Sequence, residues 1–203
     1  MNRAIADIIR AEIEGCSFVD KIAGLVQTAY VAVKVDETKT VKSFPVACCV
    51  TADDCITGMY KDLTPDSSKK SVLYFEDLGV SFVSAQGAMK LYRSRLRLVC
   101  WLNTGLLYPD GCKNGICNAS TNAIAEIIRA IPIIPFDSSP FVRILPEVVS
   151  QMVRSNAIFG NYTYNELQTQ YLLAPYDFFA LEIETEFAIC ITGRAEYEGC
   201  GTY

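Results

Sequence analysis

The chain has 203 residues, of which 51% are apolar, and a formal net charge of −5, so its composition can build a substantial core. The acidic balance argues against nucleic-acid binding as the main role, because proteins that grip phosphate backbones carry a basic surface. No run approaches the roughly 20 apolar residues of a membrane helix, and Asp7 and Glu12 interrupt the stretch where a signal peptide would have its core. We therefore expect a globular protein that has no membrane partner and stays in a reducing compartment.

The first part of the chain predicts a helix and then a hairpin. Isoleucines at positions 5, 8, 9 and 13 recur at helical spacing, Asn2 can cap the helix, and Gly15 ends it. Apolar and polar residues then alternate over 31–35 and over 44–50, on either side of a polar turn at 36–42. Such alternation is typical of two half-buried strands that pair.

A long loop and a longer hairpin follow. Residues 51–70 are rich in Asp, Thr, Ser, Lys and Gly, which indicates a surface loop. The runs 72–83 and 89–102 bracket a turn at 84–87 and predict the second hairpin.

The middle of the chain predicts a second surface loop and a second helix. The loop covers residues 105–118. Ser120 or Thr121 then caps a helix with isoleucines at 124, 127, 128 and 131 on one face, and Pro132 ends it.

Two strands complete the pattern, one over 141–153 with Pro146 indicating an edge or a bulge, and one over 178–192. The elements together predict an α+β fold in a single domain over residues 1–203. We expect a mixed, mainly antiparallel sheet with long hairpins, flanked by an N-terminal helix and a mid-chain helix.

Two rows of like charges stand on the long predicted strands. They alternate with apolar residues and comprise Arg93, Arg95 and Arg97 on the earlier strand and Glu182, Glu184 and Glu186 on the last one. Because side chains alternate faces at about 3.3 Å per residue, each row extends roughly 13 Å along one side of a sheet. Three like charges in line are unfavourable unless opposite charges offset them.

Four interpretations of these rows are open. In the first, the two strands are neighbours and the rows pair across the sheet, for about 0.2–1 kcal/mol per contact. Alternatively, each row meets the opposite row of another subunit, which suits a head-to-tail ring. In the third, the glutamates face a lumen and repel passing DNA. The fourth is a cluster of catalytic carboxylates.

Histidine is absent from the sequence. Its absence excludes Ser-His-Asp and Cys-His catalysis and removes the commonest transition-metal ligand and neutral-pH acid–base group. No glycine-rich phosphate-binding motif occurs either. We therefore expect a protein that is not an enzyme and has no catalytic residues.

Two weak metal patterns remain. Cys112 and Cys117 invite a zinc interpretation, with cysteines at 48, 49 and 55 as further ligands, but their spacing is wider than the usual zinc pair. Aspartates at 53, 54, 62 and 66 offer oxygens for calcium without matching a calcium-loop pattern. Cysteines without a ligand role and a solvated loop are the favoured alternatives, so we expect no metal and no cofactor.

Aromatic side chains cluster over 159–164 and again over 171–179. Burial in the core is one interpretation. The other is a subunit interface, because large rings give contact area at little entropic cost. The second interpretation makes Tyr162 and Tyr164, with the six residues of the charge rows, candidates for a subunit interface or a channel lining.

Five stretches of the chain, in order, carry a resemblance to a known group. They are KSFPV at 42–46, YKDLTPD at 60–66, SVLYFED at 71–77, RSRLRLVCWLN at 93–103 and YDFFALEIETEF at 176–187. Together they resemble virion proteins of tailed phages that infect Bacteroidota, especially the crAss-like group. The order of the predicted elements is similar to the tail-terminator and neck-ring fold.

The resemblance implies a structural subunit of the head-to-tail connector or tail. Such a subunit assembles into a homo-oligomeric ring, of twelve or six copies, that contacts other neck, portal and tail proteins. DNA passes through the ring without specific binding, no catalytic residue or cofactor is used, and the protein is made in the host cytoplasm and resides in the virion.

Two other functions stay open at this point. One is a non-enzymatic binding or regulatory module that works as a monomer or dimer. The other is an enzyme that uses Cys, Asp or Glu without histidine.

Overall fold

The computed structural model describes residues 1–35, 38–47, 62–110, 118–134, 142–143, 149–153, 156–163 and 170–190. The strands in this part of the chain are β1 (Lys21–Val35), β2 (Thr38–Ala47), β3 (Ser71–Gln86), β4 (Met89–Asn103), β5 (Val142–Arg143), β6 (Val149–Val153) and β7 (Tyr176–Cys190). The helices are α1 (Asn2–Ile13), α2 (Thr104–Leu107) and α3 (Ala119–Ala130), with short 3-10 turns at Asn156–Phe159 and Gln170–Leu172.

All seven strands form one sheet in the order β2-β1-β3-β4-β7-β5, and β6 also pairs with β7. The β1–β3 pair is parallel and the other described pairs are antiparallel. The predicted α+β class, with its mixed, mainly antiparallel sheet, its N-terminal helix and its mid-chain helix, is therefore confirmed.

The helices α1 and α3 cover one face of the sheet. Ile5, Ile9 and Ile13 of α1 are fully buried, as is Ile127 of α3. Their partners on the sheet come from alternate positions of the central strands: Leu73, Phe75, Leu96, Leu98, Cys100, Leu102, Phe179, Leu181, Ile183 and Phe187. Burial of one such side chain contributes about 1.5–3 kcal/mol, so this layer supplies much of the stability.

A strap formed by residues 156–163 covers part of the opposite face. Ile158 and Phe159 of the strap pack in a second core with Trp101, Tyr74 and Val99. The backbone N–H of Thr163 donates to the carbonyl of Ser43 at 2.9 Å, which fastens the end of the strap to β2. The strap thus crosses the sheet from the β6 side to the β2 side.

The two long hairpins separate from each other towards their tips. The parallel pairing of β1 with β3 ends at Leu25 and Phe75. A register shift between Asp77 and Val80 follows in β3, and such a bulge increases the local twist of a strand. Beyond this point β1 pairs with β2 alone, whereas β3 stays paired with β4 to the turn.

The strands are longer than the sequence predicted. The predicted polar turn at 36–42 is wrong for most of its length, because the β1–β2 ladder begins with Val35 opposite Thr38. The predicted turn at 84–87 is likewise shorter, since Gln86 pairs with Met89 and leaves Gly87 and Ala88 as the turn. Threonine is favoured in strands, and Thr38 and Thr40 continue the β1–β2 ladder into the segment that was predicted as a turn.

Both predicted surface loops contain ordered or buried parts. Residues 51–61 lie outside the described residues, but Leu63, Thr64 and Pro65 are buried, and Leu63 packs in the second core. In the loop predicted at 105–118, residues 104–107 are helical because the Asn103 side chain accepts from the N–H of Leu106 at 3.3 Å. Residues 111–117 lie outside the described residues.

Three smaller expectations are corrected. Met1, and not Asn2, is the N-cap of α1, and the Asn2 amide instead donates to Asp77 at 2.7 Å. Asn118 is the N-cap of α3, one residue before the helix begins. The strand predicted over 141–153 appears as the separate strands β5 and β6, with residues 144–148 outside the described chain.

Gly79 at the β3 bulge generates a first prediction. Its φ is +101°, a conformation that side chains with a Cβ rarely adopt, and its N–H donates to the Asp77 carboxylate at 2.7 Å. The Gly79→Ala variant should lose about 1–3 kcal/mol of the free energy of unfolding through backbone strain. Urea denaturation measures this loss. Gly105→Ala in α2 is the matched control, because alanine is preferred to glycine in a helix. Equal losses in both variants would contradict the assignment.

Candidate functional site

The two charge rows lie opposite each other on the sheet face that the helices leave uncovered. β4 and β7 are antiparallel neighbours, and their register places Arg93 opposite Glu186, Arg95 opposite Glu184 and Arg97 opposite Glu182. The interpretation that the rows pair across the sheet is therefore confirmed. We call these six residues and Glu76 of β3 the charge ladder.

Each arginine of the charge ladder bridges two carboxylates. The nitrogen–oxygen distances are 3.3 Å for Arg93–Glu186, 3.9 Å for Arg93–Glu184, 3.4 Å for Arg95–Glu184, 3.4 Å for Arg95–Glu182, 2.8 Å for Arg97–Glu182 and 3.7 Å for Arg97–Glu76. This stagger places a guanidinium between successive carboxylates, which offsets the like-charge repulsion along each strand.

The charge ladder is most buried around Arg97 and Glu182, and its arginines are more exposed at positions 93 and 95. The Arg95 side chain is 47% exposed and that of Arg93 is 44% exposed, whereas Arg97 is 24% exposed and Glu182 only 10%. Exposed ion pairs contribute about 0.2–1 kcal/mol each, since water screens them. Removing one partner from the pairs near Arg97 should cost more stability, because it leaves the other charge buried without a partner and without solvation by water.

Glu76 and Tyr162 form the buried end. The Tyr162 hydroxyl donates to Oε1 of Glu76 at 2.8 Å, and its ring meets Tyr74 edge-on at 5.9 Å. Burial raises the pKa of the Glu76 carboxyl above its ordinary value, although the Tyr162 hydrogen bond, the Arg97 charge and a bond from Asn161 act in the opposite direction. The strap therefore covers a carboxylate as well as apolar side chains.

The structure changes the role of the two tyrosine candidates. Tyr162 is buried within this chain, so its side chain belongs to the core interpretation of the aromatic cluster, and its assignment to a subunit interface is corrected. Tyr164 lies outside the described residues. The arginine and glutamate candidates lie on the face that the helices leave uncovered, and they form ion pairs with each other within the chain.

Two features of the sheet escaped sequence reasoning, one on the charge-ladder face and one on the helix-covered face. Glu76 follows the apolar run of β3, and nothing in the sequence indicated which residue would pair with it. The fold places Arg97 opposite it on β4. Phe82, Tyr92 and Phe187 form an aromatic row across three strands, with ring centroids 5.8 Å and 5.6 Å apart. Their alternation with polar neighbours was a usable signal, because residues in register across a sheet share a face.

The described aspartates and cysteines have structural partners. The Asp62 carboxylate meets Lys21 at 3.3 Å, and the Asp66 carboxylate accepts from the N–H of Ser68 at 2.8 Å. Burial raises the pKa of the Cys100 thiol well above its ordinary value, and that of Cys16 is also raised, so both favour the unreactive thiol. Among the described residues, no three His, Cys, Asp or Glu side chains come together as metal ligands. Residues 48–55 and 111–117, which hold the other predicted ligands, lie outside that part of the chain.

A groove of about 380 Å³ lies between α3 and the segment at 104–108, and none of its lining residues belongs to the charge ladder. Its polar lining consists of Ser17, Lys70, Tyr108, Asn122, Glu126 and Arg129. Glu126 is engaged there, since its carboxylate accepts from the Ser17 N–H at 3.0 Å and from the Ser17 hydroxyl at 2.9 Å. The groove can accept a small polar group but brings no catalytic pair together.

In the described chain, no helix combines the length and the apolar character that crossing a membrane requires. No protein-family model and no curated protein matches the chain.

The buried carboxyl of Glu76 generates a prediction about pH. A carboxyl with a raised pKa in the folded state stabilises the fold most below its ordinary pKa of 4.5, and this contribution is lost as the pH rises through the folded value. The stability of the wild type relative to Glu76→Gln should therefore fall as the pH increases from about 4.5 towards neutrality. Urea denaturation over this pH series measures the difference. A relative stability that stays constant or rises would contradict the assignment, and Glu184→Gln, on the exposed part of the same face, is the control.

The burial gradient generates a prediction about the arginines. Arg97→Gln removes charge-assisted partners from Glu182 and Glu76 and should cost about 1.5–3 kcal/mol of the free energy of unfolding. Arg93→Gln removes half-exposed pairs and should cost less than about 1 kcal/mol. Chemical denaturation of the two variants side by side measures both costs. The interpretation fails if the Arg93 variant is the less stable of the two.

Proposed function

We propose that this chain is a structural ring subunit of a phage neck or tail, which joins portal and head to tail and forms part of the DNA channel. It acts by docking to copies of itself and to neck, portal and tail proteins in the virion. The proposal includes no catalysis and no cofactor.

The observation that carries the proposal is the exposure of large apolar side chains on both hairpins. Tyr30 and Val41 on the β1–β2 hairpin are 75% and 64% exposed, and Phe82 on the β3–β4 hairpin is 58% exposed, with Val80 and Val83 beside it. Apolar side chains concentrated on projecting elements are typical of surfaces that another protein covers.

The resemblance of the motifs supports the same conclusion. The stretches at 93–103 and 176–187 form most of β4 and β7, which are adjacent in the sheet. Two of the stretches that carry the resemblance to virion proteins thus form the centre of the sheet. Their charged residues form ion pairs with each other. A net charge of −5 also suits a wall that DNA passes without adhering.

The groove beside α3 favours the second candidate, a non-enzymatic binding or regulatory module that works as a monomer or dimer. Lys70 and Arg129 lie at this groove with the Glu126 carboxylate and the Tyr108 hydroxyl, a mixed lining that suits a small polar group. This function needs no self-assembly, so the oligomeric state separates the two candidates.

Light scattering coupled to size-exclusion chromatography tests the proposal. The purified chain at tens of micromolar, alone or mixed with the portal protein of the same virion, should give a mass of six or twelve times 22.4 kDa, or a complex containing that number of copies. Negative-stain images should show closed rings. A 22.4 kDa species under both conditions would reject the ring and favour the binding module.

A further inference from the structure

Among the described residues, two strand edges lack a partner strand at the point where the hairpins separate. One is the distal edge of β3 (residues 79–86), which faces away from β4. The other is the distal edge of β1 (residues 26–32), which faces away from β2. The β1–β3 pairing ends at Leu25 and Phe75, and within the described chain no hydrogen bond reaches either edge from another strand. Unpaired backbone edges of this length are templates for a further strand.

Other edges of the same sheet are covered. Pro45 in β2 has no N–H to offer, and the carbonyl of Ser43 accepts from Thr163 of the strap. β7 is covered by β5 and β6. Because proteins protect strand edges with proline, with charge or with covering segments, the two distal edges stand out as the unprotected ones in the described sheet.

Neither distal edge carries a charged residue. The sequence from 79 to 86 is GVSFVSAQ and that from 26 to 32 is VQTAYVA. Charged side chains are the usual means by which an edge strand rejects a partner strand, and both edges lack them. Each edge also presents one exposed aromatic ring, Phe82 on β3 and Tyr30 on β1.

The edge of β3 is held in position before any partner arrives. Phe82 meets Tyr92 edge-on, and Tyr92 stacks on Phe187 in β7, whose backbone pairs with β4 throughout this region. A prearranged edge loses less conformational freedom on binding, which favours association.

We propose that the distal edge of β3 in one copy pairs with the distal edge of β1 in the next copy, so that the sheet continues from subunit to subunit. This inference rests on the proposed function, since it names the contact by which copies assemble. A second copy is the occupant that fits, because each molecule offers both edges and two uncharged edges meet without opposing like charges. The contact is heterologous, and a heterologous contact repeated with the right rotation closes into a ring.

A charge exchange tests the pairing. Phe82→Lys and Tyr30→Glu each place a charge on an exposed edge, and each should convert the ring to species of 22.4 kDa. The double variant, with Lys and Glu on opposing edges of neighbouring copies, should restore the ring, because opposite charges facing each other across strands attract. Ile133→Lys is the control, since Ile133 is exposed outside both hairpins and its change should leave the ring intact.

A photo-crosslink makes the test independent of stability. Benzoylphenylalanine at position 82 preserves an aromatic side chain, and a mixture of isotopically light and heavy protein separates crosslinks between copies from those within a copy. A crosslink from position 82 to residues 26–32 of another copy supports the pairing. A crosslink to the chain's own residues 191–203, to another part of a second copy, or to the portal alone overturns it.

The outcomes also separate this inference from the proposed function. If both single variants still form rings, the edge pairing is wrong and the ring subunit stands. If the wild type forms no ring alone or with its portal protein, the proposed function fails and the pairing fails with it.

Discussion

The antiparallel register between β4 and β7 is the constraint on which the rest of the structure depends. It pairs Met89 to Asn103 with Cys190 to Tyr176 without interruption, so two faces of the sheet are set at once. One face aligns leucines, isoleucine and phenylalanines under α1 and α3, and the other aligns three arginines with three glutamates. Because side chains alternate with a period of two, a slip by one residue would bring charges under the helices and break both layers.

Burial along β4 decreases from the strap towards the hairpin tip. At the strap end, the Tyr162 hydroxyl donates to Glu76, whose buried carboxylate also meets Arg97. Towards the tip, Arg93 and Arg95 reach solvent and the core gives way to the aromatic row that ends at Phe82. The stable end thus anchors a projecting arm whose side chains remain available for contact with another molecule.

The separation of the two hairpins is what allows the proposed pairing of strand edges between copies. A sheet whose neighbouring strands were all paired to their ends would present backbone edges only on its outermost strands. Here the register shift near Gly79 comes shortly after the last β1–β3 pair, and beyond it no described strand pairs with the facing sides of β1 and β3. The bulge at Gly79, which requires a positive φ, thus lies where the two hairpins separate and where the proposed contact between copies begins.

Periodicity in the sequence determined the fold class, both hairpins, the two long helices and the positions of the charge rows, because alternation with a period of two or 3.6 is a local property of the chain. The same periodicity limited the possible roles of the charge rows to four interpretations. Which interpretation holds depended on β4 and β7 being neighbours, and strand order arises from contacts far apart in sequence. For Tyr162 the sequence left core burial and a subunit interface open, and the strap places its side chain in the core beside Glu76. Leu63 was predicted in a surface loop, but the second core encloses it. Burial of an individual side chain is a sum over distant neighbours, so only the tertiary structure decided it.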